Sequence, residues 1–301
     1  MMDGILNVYK EKGYTSHDVV AKLRGILKQK KIGHTGTLDP DAEGVLPMCL
    51  GSATKVCDLL TDRDKTYETV LLLGKETDTQ DISGTVLAEA EVTVTEAEVL
   101  ECIQSFLGAY EQIPPMYSAL KVNGRKLYDL AREGQVVERA ARTVYIRDIR
   151  ILEVALPRIR MEVTCSKGTY IRTLCHDIGQ KLGCHGCMEQ LLRTRVGIFS
   201  LTQAKKLSEI EALRDAGTVE HQLIQVPDLF PDHPRVAVKE AAARLVYNGN
   251  PVKKSDFATP LPEGAEQILL YDHQRQFIGI FKWNGEKHRY FPEKMFYTQG
   301  K

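Results

Sequence analysis

Residues 33–47 read GHTGTLDPDAEGVLP, the most informative segment of this chain. Asp39 lies here between Leu38 and Pro40, in a loop crowded with glycines rather than on a periodic polar face. Pro40 biases Asp39 toward an extended backbone, and the glycines permit close approach of another chain or a ligand. An ordinary Asx turn is the alternative, since Asp before Pro often starts a turn. A phosphate-binding loop is excluded because no Gly-Lys-Ser/Thr follows.

An amphipathic helix is predicted just before this segment. Thr15 or Ser16 can cap it, and its apolar side chains recur at helical spacing. The apolar positions are Val19, Val20, Leu23, Ile26 and Leu27. Its outer face and C-terminal end carry cations without an acid between them: Lys22, Arg24, Lys28, Lys30 and Lys31. These cations either suit the helix dipole as a solvated end or form a patch that contacts phosphates, and both interpretations stay open.

The composition is that of a globular protein with about two domains. The chain has 301 residues, of which 43% are hydrophobic and 27% are charged, which suffices for a real core. Because 40 basic residues balance 40 acidic ones, a nucleic-acid partner would need a local basic patch. The longest aliphatic run, at residues 70–73, is far shorter than the roughly 20 apolar residues that span a bilayer, and no secretory signal is visible. We therefore expect no membrane association and a cytoplasmic location.

Strands and helices are mixed downstream without a regular β-α-β rhythm. The residue patterns predict strands over residues 67–73, 84–92 and 159–165, the last with clean alternation of apolar and polar side chains. A capping box over residues 95–98 starts one helix, and Gly183 ends another. This mixture predicts an α+β fold with a largely antiparallel sheet.

A proline-rich stretch divides the chain. Pro227, Pro231 and Pro234 make it stiff and poorly helical, which is typical of a domain boundary. We therefore predict a first domain over residues 1–230 and a small, mostly β module over residues 231–301.

The cysteines raise the question of a metal site. Seven cysteines do not suit a disulfide framework in a chain of this length. Cys184 and Cys187 have the spacing of a zinc ribbon, and Cys175 or His176 could supply further ligands. Because Cys175 falls on the apolar side of a predicted helix and no second Cys-x-x-Cys exists, we favour reduced thiols and expect no metal.

Residues 33–47 resemble the signature loop of the bacterial tRNA pseudouridine-55 synthases, the TruB family. Further motifs agree with that family in order and spacing: KTY at 65–67 with TDT at 77–79, PPMYSALK at 114–121 with GRKLYDLAR at 124–132, and CSKGTYIRT at 165–173 with Leu191 and Arg193. The likeness covers residues 4–230, and the C-terminal module resembles, more weakly, the family's PUA-like RNA-binding domain. One departure is visible: Glu11 follows Lys10 where the family usually has proline, which leaves the path of that loop open.

The resemblance implies a pseudouridine synthase fold, with helices flanking the sheet, and a set of catalytic residues. Asp39 matches the essential carboxylate, and Arg172 matches the arginine that pairs with it and can hold it bidentately. Tyr67 matches the tyrosine that stacks on the target base and is a candidate for the later proton transfer from C5. From periodicity alone, Tyr67 would be an ordinary strand aromatic, and Arg172 would lie on a polar helix face with Thr169 and His176.

The resemblance also implies substrate-binding residues. His34 matches the residue that the family wedges into the RNA stack, Leu191 corresponds to an apolar residue of the uracil pocket, and Tyr170 lies in the matching motif. Lys121 and Arg125 belong to a segment, at about residues 115–143, that resembles the family's flexible thumb. A flipped-out base costs a few kcal/mol of lost stacking, so something should fill the gap it leaves.

The implied function is isomerisation of uridine 55 in the T arm of tRNA to pseudouridine. The reaction breaks the N1–C1′ bond and joins C5 to C1′ without atoms entering or leaving, so we expect no cofactor. We also expect no guide RNA and a monomer. A non-catalytic tRNA-binding or folding module of the same fold is the alternative. Glycoside hydrolysis would require two carboxylates flanking the bond, and the absence of a Lys-rich tail disfavours the guide-RNA-dependent relatives of archaea and eukaryotes.

Overall fold

The computed structural model describes residues 2–122 and 124–297. The strands of the first part of the chain are β1 (Gly4–Lys10), β2 (Ile32–His34), β3 (Glu43–Leu50), β4 (Lys65–Leu73), β5 (Lys75–Thr77), β6 (Val86–Glu89), β7 (Gly108–Gln112), β8 (Lys121–Val122), β9 (Arg125–Lys126), β10 (Arg142–Ala155), β11 (Arg158–Cys165), β12 (Gly186–Val196) and β13 (Phe199–Ser200). The strands of the last part are β14 (Arg235–Ala237), β15 (Gln267–Tyr271), β16 (Phe277–Asn284) and β17 (Arg289–Met295). The α-helices are α1 (Ser16–Leu27), α2 (Cys57–Thr61), α3 (Glu96–Gln104), α4 (Leu127–Arg132), α5 (Ile171–Lys181), α6 (Leu207–Asp215) and α7 (Glu240–Tyr247).

A nine-stranded sheet forms the centre of the first part, in the order β1-β3-β12-β4-β11-β10-β7, with β2 beside β3 and β13 beside β12. Neighbouring strands run antiparallel except β3 and β12, which are parallel. The predicted α+β fold with a largely antiparallel sheet is therefore confirmed. One strand is shorter than expected, because the extended pattern at residues 84–92 forms only β6.

Helix boundaries follow local capping chemistry. Thr15 caps α1 in a capping box with Asp18, and Thr95 caps α3 in the same way with Glu98, which satisfies the free N–H groups of each first turn. Shortly after the C-terminal end of α5, Gly183 adopts a φ of 73°, the left-handed conformation that glycine tolerates best. The sequence located these boundaries because capping depends on neighbours a few residues away.

Apolar clusters attach the helices to the sheet. Helices α3 and α5 pack on β4, β10, β11 and β12 through one buried cluster, whereas α1 and α6 pack on β1 and β3 through another. Burial of each large aliphatic side chain contributes about 1.5–3 kcal/mol, so these clusters hold α1 and α5 firmly. The loop that carries Asp39 runs between β2 and β3, next to the N-terminal ends of both α1 and α5.

A second, four-stranded sheet, in the order β14-β15-β16-β17, forms the C-terminal part. It begins at Arg235, directly after the proline-rich stretch. A single apolar cluster joins the two sheets, with Val45 and Phe199 on the first and Leu269 and Ile280 on the second. None of the helices in residues 2–122 and 124–297 is long and apolar enough to cross a membrane.

Candidate active site

Arg172, on α5, forms an ion pair with the carboxylate of Asp39. Arg172 Nε lies 3.0 Å from Asp39 Oδ2, and Arg172 Nη2 donates to Asp39 Oδ1 at 3.3 Å. This side-on pairing is bidentate, the geometry that fixes both the position and the orientation of a carboxylate. Arg172 is 5% exposed, so its placement on a solvent-facing polar surface, as periodicity suggested, is wrong.

The guanidinium is itself held by two other segments of the chain. Arg172 Nη1 donates to the Thr79 carbonyl at 3.0 Å, and Nη2 donates to the Tyr117 carbonyl at 2.8 Å. Asp81 Oδ2 lies 3.6 Å from Nη1, so a second carboxylate faces the same cation. Sequence reasoning missed Asp81, although it lies two residues beyond the quoted TDT motif. With partners on several sides, Arg172 has little freedom to leave Asp39.

The start of α5 is fixed by a side chain of β7. Gln112 Nε2 donates to the Tyr170 carbonyl at 3.0 Å, and the Tyr170 N–H donates to Gln112 Oε1 at 2.8 Å. Gln112 is 1% exposed, so the pair of bonds is shielded from water. Tyr170 is half-buried and immediately precedes α5. The amide of Gln112, which no sequence pattern singled out, therefore sets the position of Arg172 two residues later.

The buried side chain of Lys10 holds the Asp39 loop in place through hydrogen bonds to its backbone. Lys10 Nζ donates to the Pro40 carbonyl at 3.0 Å and to the Ala42 carbonyl at 2.5 Å, and the side chain is 0% exposed. Burial lowers the pKa of Lys10 to about 8. The Gly13 N–H also donates to the Pro40 carbonyl at 2.9 Å. The loop that contains Glu11 instead of proline is therefore tied to the Asp39 loop by hydrogen bonds.

Burial and charge act in opposite directions on Asp39. Burial raises the pKa of Asp39 above its ordinary value, the Arg172 charge opposes that rise, and the charge of Asp81 adds to it. The Asp39 side chain keeps 39% of its surface exposed, which leaves it accessible to a substrate. The site thus presents an aimed carboxylate whose ionised form depends on the neighbouring guanidinium.

Tyr67 and Leu191 belong to the apolar cluster that also contains Leu38 and Ala42 of the Asp39 loop. Tyr67, on β4, is 9% exposed and belongs to the same buried cluster as Leu38, the residue before Asp39. Leu191, on β12, is partly buried and packs against that cluster. Burial raises the pKa of Tyr67. An aromatic ring and an aliphatic side chain beside a carboxylate can accept the flat face of a base.

His34 lies at the start of the same loop and is half-buried. Its ring meets that of His17 edge to face, with 5.3 Å between centroids, and the Gly36 N–H donates to its Nδ1 at 3.3 Å. Burial lowers the pKa of His34, and the nearby His17 adds to this effect. A neutral imidazole at the rim of the site is suited to stacking against bases rather than to pairing with phosphates.

The segment at residues 115–143 is a small unit with its own apolar cluster of Met116, Leu127 and Leu130. Lys121 and Arg125 are exposed on it, and Arg125 pairs with Glu133. In the described residues, neither cation contacts the Asp39–Arg172 pair. Their contact with a substrate therefore stays a prediction.

The cations of α1 and of the segment that follows it are all exposed. Within the described parts of the chain, none of them has a carboxylate oxygen within 4.0 Å. They lie on the helix that also contributes Ser16, whose hydroxyl accepts a hydrogen bond from the Leu38 N–H at 2.9 Å. An unpaired basic surface thus begins on the element that supports the Asp39 loop.

The cysteines around α5 are buried thiols. Cys175 and Cys187 are 0% exposed and Cys184 is 3% exposed, and burial raises the pKa of Cys175 to about 12. Among the residues that the structure describes, no group of three or more His, Cys, Asp or Glu side chains is arranged to hold a metal ion.

Comparison with known proteins identifies the family. Residues 24–171 match the model for the TruB family pseudouridylate synthase N-terminal domain, and residues 172–226 match that for the tRNA pseudouridylate synthase B C-terminal domain. The chain belongs to the TruB family. A tRNA pseudouridine synthase B of Lachnoclostridium phytofermentans is 54% identical over 306 residues, covering 98% of this chain and 100% of that one. Its counterpart in Alkaliphilus oremlandii is 46% identical, covering 95% of each chain.

Solved structures support the TruB fold. A chain of a Cbf5-Nop10-Gar1 complex superposes with a TM-score of 0.75 at 25% identity, covering 99% of this chain and 86% of that one. A chain of an H/ACA RNP bound to a substrate RNA containing 2′-deoxyuridine gives a TM-score of 0.72 at 24% identity, with coverage of 98% and 86%. This chain therefore shares its fold with both of those chains over nearly its whole length.

Proposed function

We propose that this protein is a tRNA pseudouridine synthase that isomerises uridine 55 in the T arm. The observation that carries the proposal is the bidentate contact of Arg172 with Asp39 in an accessible loop between β2 and β3. The relatives named tRNA pseudouridine synthase B, which match nearly the full chain, support tRNA as the substrate. A module that only bound RNA would gain nothing from a buried arginine that aims a single carboxylate.

The reaction requires that the target uridine leave its stack. The flipped base enters beside Asp39, with the Tyr67 ring and the Leu191 side chain against its faces. His34 fills the gap left in the RNA, and its neutral imidazole can stack there. Because unstacking costs a few kcal/mol, replacing the lost contacts in this way favours the flipped state.

Asp39 supplies the charge for breaking the glycosidic bond. As the N1–C1′ bond breaks, electrons move onto the uracil ring and C1′ becomes electron-poor, so an ionised carboxylate nearby acts as a nucleophile or base. Arg172 keeps Asp39 ionised and aimed. C5 then bonds to C1′, and the proton lost from C5 is matched by one gained at N1. No redox change occurs, so the reaction needs no cofactor.

RNA contacts beyond the target base come from the basic surfaces. The unpaired cations of α1, with Lys121 and Arg125 on the thumb-like segment 115–143, suit the phosphate backbone of a folded arm. We extend the proposal to a catalytic unit over residues 1–230, a PUA-like RNA-binding unit over residues 231–301, and action as a monomer without a guide RNA in the cytoplasm. The seven unpaired cysteines fit a reducing compartment.

The decisive experiment is incubation of the purified protein with an unmodified tRNA transcript, followed by mapping of pseudouridine at each position. We expect one pseudouridine, at position 55, without added cofactor or guide RNA. A transcript with cytidine at position 55 is the matched control and should stay unmodified. Binding of the transcript without any pseudouridine would support the non-catalytic alternative, and modification at another position would refute the assigned site.

A further inference from the structure

A second buried arginine lies beside Tyr67 in the central sheet. Arg193 is 1% exposed and lies on β12, directly opposite Tyr67 of β4 and Gly44 of β3. The backbone approach is so close that a Cβ on Gly44 would lie 2.2 Å from the Arg193 carbonyl oxygen. Directly opposed residues on neighbouring strands have side chains in contact range, so the guanidinium and the phenol share one small space.

The guanidinium of Arg193 is incompletely satisfied. Its Nε donates to the Val45 carbonyl at 2.7 Å, whereas its buried Nη2 has no hydrogen-bond partner among the described residues. In the same part of the chain, no carboxylate oxygen lies within 4.0 Å of it. A buried cation with an unpaired N–H is costly unless something nearby accepts it. The arrangement therefore calls for an acceptor that carries negative charge at some stage of the reaction.

The oxygen of Tyr67 is the acceptor at hand. The other buried cations near Arg193 are Lys10 and Lys65, and both already donate to backbone carbonyls. These carbonyls are neutral, and the carboxylate of Asp39 is close enough to Tyr67 to raise the pKa of the phenol. Burial raises the pKa of Tyr67, and the Arg193 charge is the largest influence that opposes the rise. A guanidinium beside a phenol favours the phenolate.

The last step of the proposed reaction requires a base at C5. After C5 has bonded to C1′, C5 carries both a hydrogen and the sugar, and the ring has an N1=C6 double bond. When the proton leaves C5, the electrons of the C–H bond form C5=C6, and the electrons of N1=C6 take up a proton at N1. C5 therefore loses one proton and N1 gains one, and the conjugated uracil ring of pseudouridine is complete.

We propose that Arg193 is a positioning residue for this proton transfer. Its buried guanidinium holds the oxygen of Tyr67 and stabilises the phenolate that forms when the phenol proton passes to N1, directly or through solvent. The phenolate then accepts the C5 proton, so the phenol is restored and no proton is gained or lost overall. The inference rests on the proposed function and adds a role that neither Asp39 nor Arg172 performs. Those residues act when the N1–C1′ bond breaks, whereas Arg193 acts only after C5 has bonded to C1′.

The test compares two substrates in one variant. Arg193→Met removes the charge and keeps a side chain of similar volume. The wild-type protein and every variant are assayed on tRNA that contains uridine and on tRNA that contains 5-fluorouridine. The fluorinated base carries no proton at C5, so its rearrangement reports every step up to C5–C1′ bond formation and none after. With protein in saturating excess over tRNA, we expect the single-turnover rate constant on the uridine substrate to fall about 10- to 100-fold and that on the fluorinated base to stay within about twofold.

The ratio of the two rates does not depend on how much of the variant folds, so a loss of stability cannot imitate the result. Arg193→Lys keeps a charge and should give an intermediate ratio. Arg195→Met, the same change at an exposed position of β12, should give the wild-type ratio. Equal slowing on both substrates, or no slowing on either, would overturn the role of Arg193. Failure of the wild-type protein on both substrates would instead refute the proposed function.

Discussion

Replacing Arg172 with lysine keeps the positive charge but removes the planar fork. The guanidinium makes two contacts with Asp39, at 3.0 and 3.3 Å, and donates to the carbonyls of Thr79 and Tyr117. A single ammonium group cannot span these acceptors together. If one charge-assisted hydrogen bond is lost, the aimed carboxylate loses about 1.5–3 kcal/mol of stabilisation. That corresponds to a fall in kcat of roughly 10- to 150-fold.

The assay is turnover of unmodified tRNA transcript at saturating concentration across pH. Arg172→Met removes the charge that opposes the raised pKa of Asp39. Since activity requires the ionised carboxylate, it is lost as pH falls through the pKa, and a higher pKa moves this acid limb to higher pH. Arg172→Lys should leave the limb near its wild-type position because the charge remains. Wild-type kcat in Arg172→Lys, or an unmoved acid limb in Arg172→Met, would refute this account of the pair.

Three further predictions follow from the geometry. Asp39→Asn should abolish conversion and leave tRNA binding within a few-fold, as measured by pseudouridine mapping and filter binding; turnover at a tenth of the wild-type rate would exclude Asp39 as the catalyst. In the double variant Lys30→Ala/Lys31→Ala, the slope of log Kd for tRNA against log salt concentration should fall by up to about 1.8, because each lost phosphate contact lowers the slope by about 0.9. An unchanged slope would indicate that these lysines are only a solvated helix end. Gly44→Ala should lower the free energy of unfolding by several kcal/mol in a denaturant titration, because the φ of 106° at Gly44 and the nearby Arg193 carbonyl leave no room for a Cβ. Gly25→Ala is the control, since Gly25 lies inside α1 with open space around it. That change should raise the free energy of unfolding by roughly 0.5–1 kcal/mol.

Sequence patterns that span only a few residues were sufficient to predict where several helices and strands lie. Capping boxes at Thr15 and Thr95 and the alternation along β11 depend on neighbours in the chain, so the sequence located them correctly. Residues 84–92 show the limit of such reasoning. Their extended pattern forms only the short β6, because among residues 2–122 and 124–297 the strand pairs with the three-residue β5 and with nothing longer.

The motif GHTGTLDP and its companions also predicted, through likeness to the TruB family, that Asp39, Tyr67 and Arg172 form one site, and the structure pairs Arg172 with Asp39. Helical periodicity alone placed Arg172 on a polar surface, whereas the structure buries it. The reason is that Arg172 meets Asp39, Thr79 and Tyr117 only after segments far apart in the chain have packed together. No local pattern contains that information.

The sequence by itself therefore determined the α+β class and the helix ends set by capping residues, because each depends on residue type and short-range spacing. It also singled out Asp39 as the candidate carboxylate. Only the tertiary structure decided what surrounds that carboxylate. Burial raises the pKa of Asp39, Gln112 fixes the start of α5, and Arg193 lies beside Tyr67. These features arise from contacts between distant strands and helices, and the dielectric environment of a side chain exists only once its neighbours are in place.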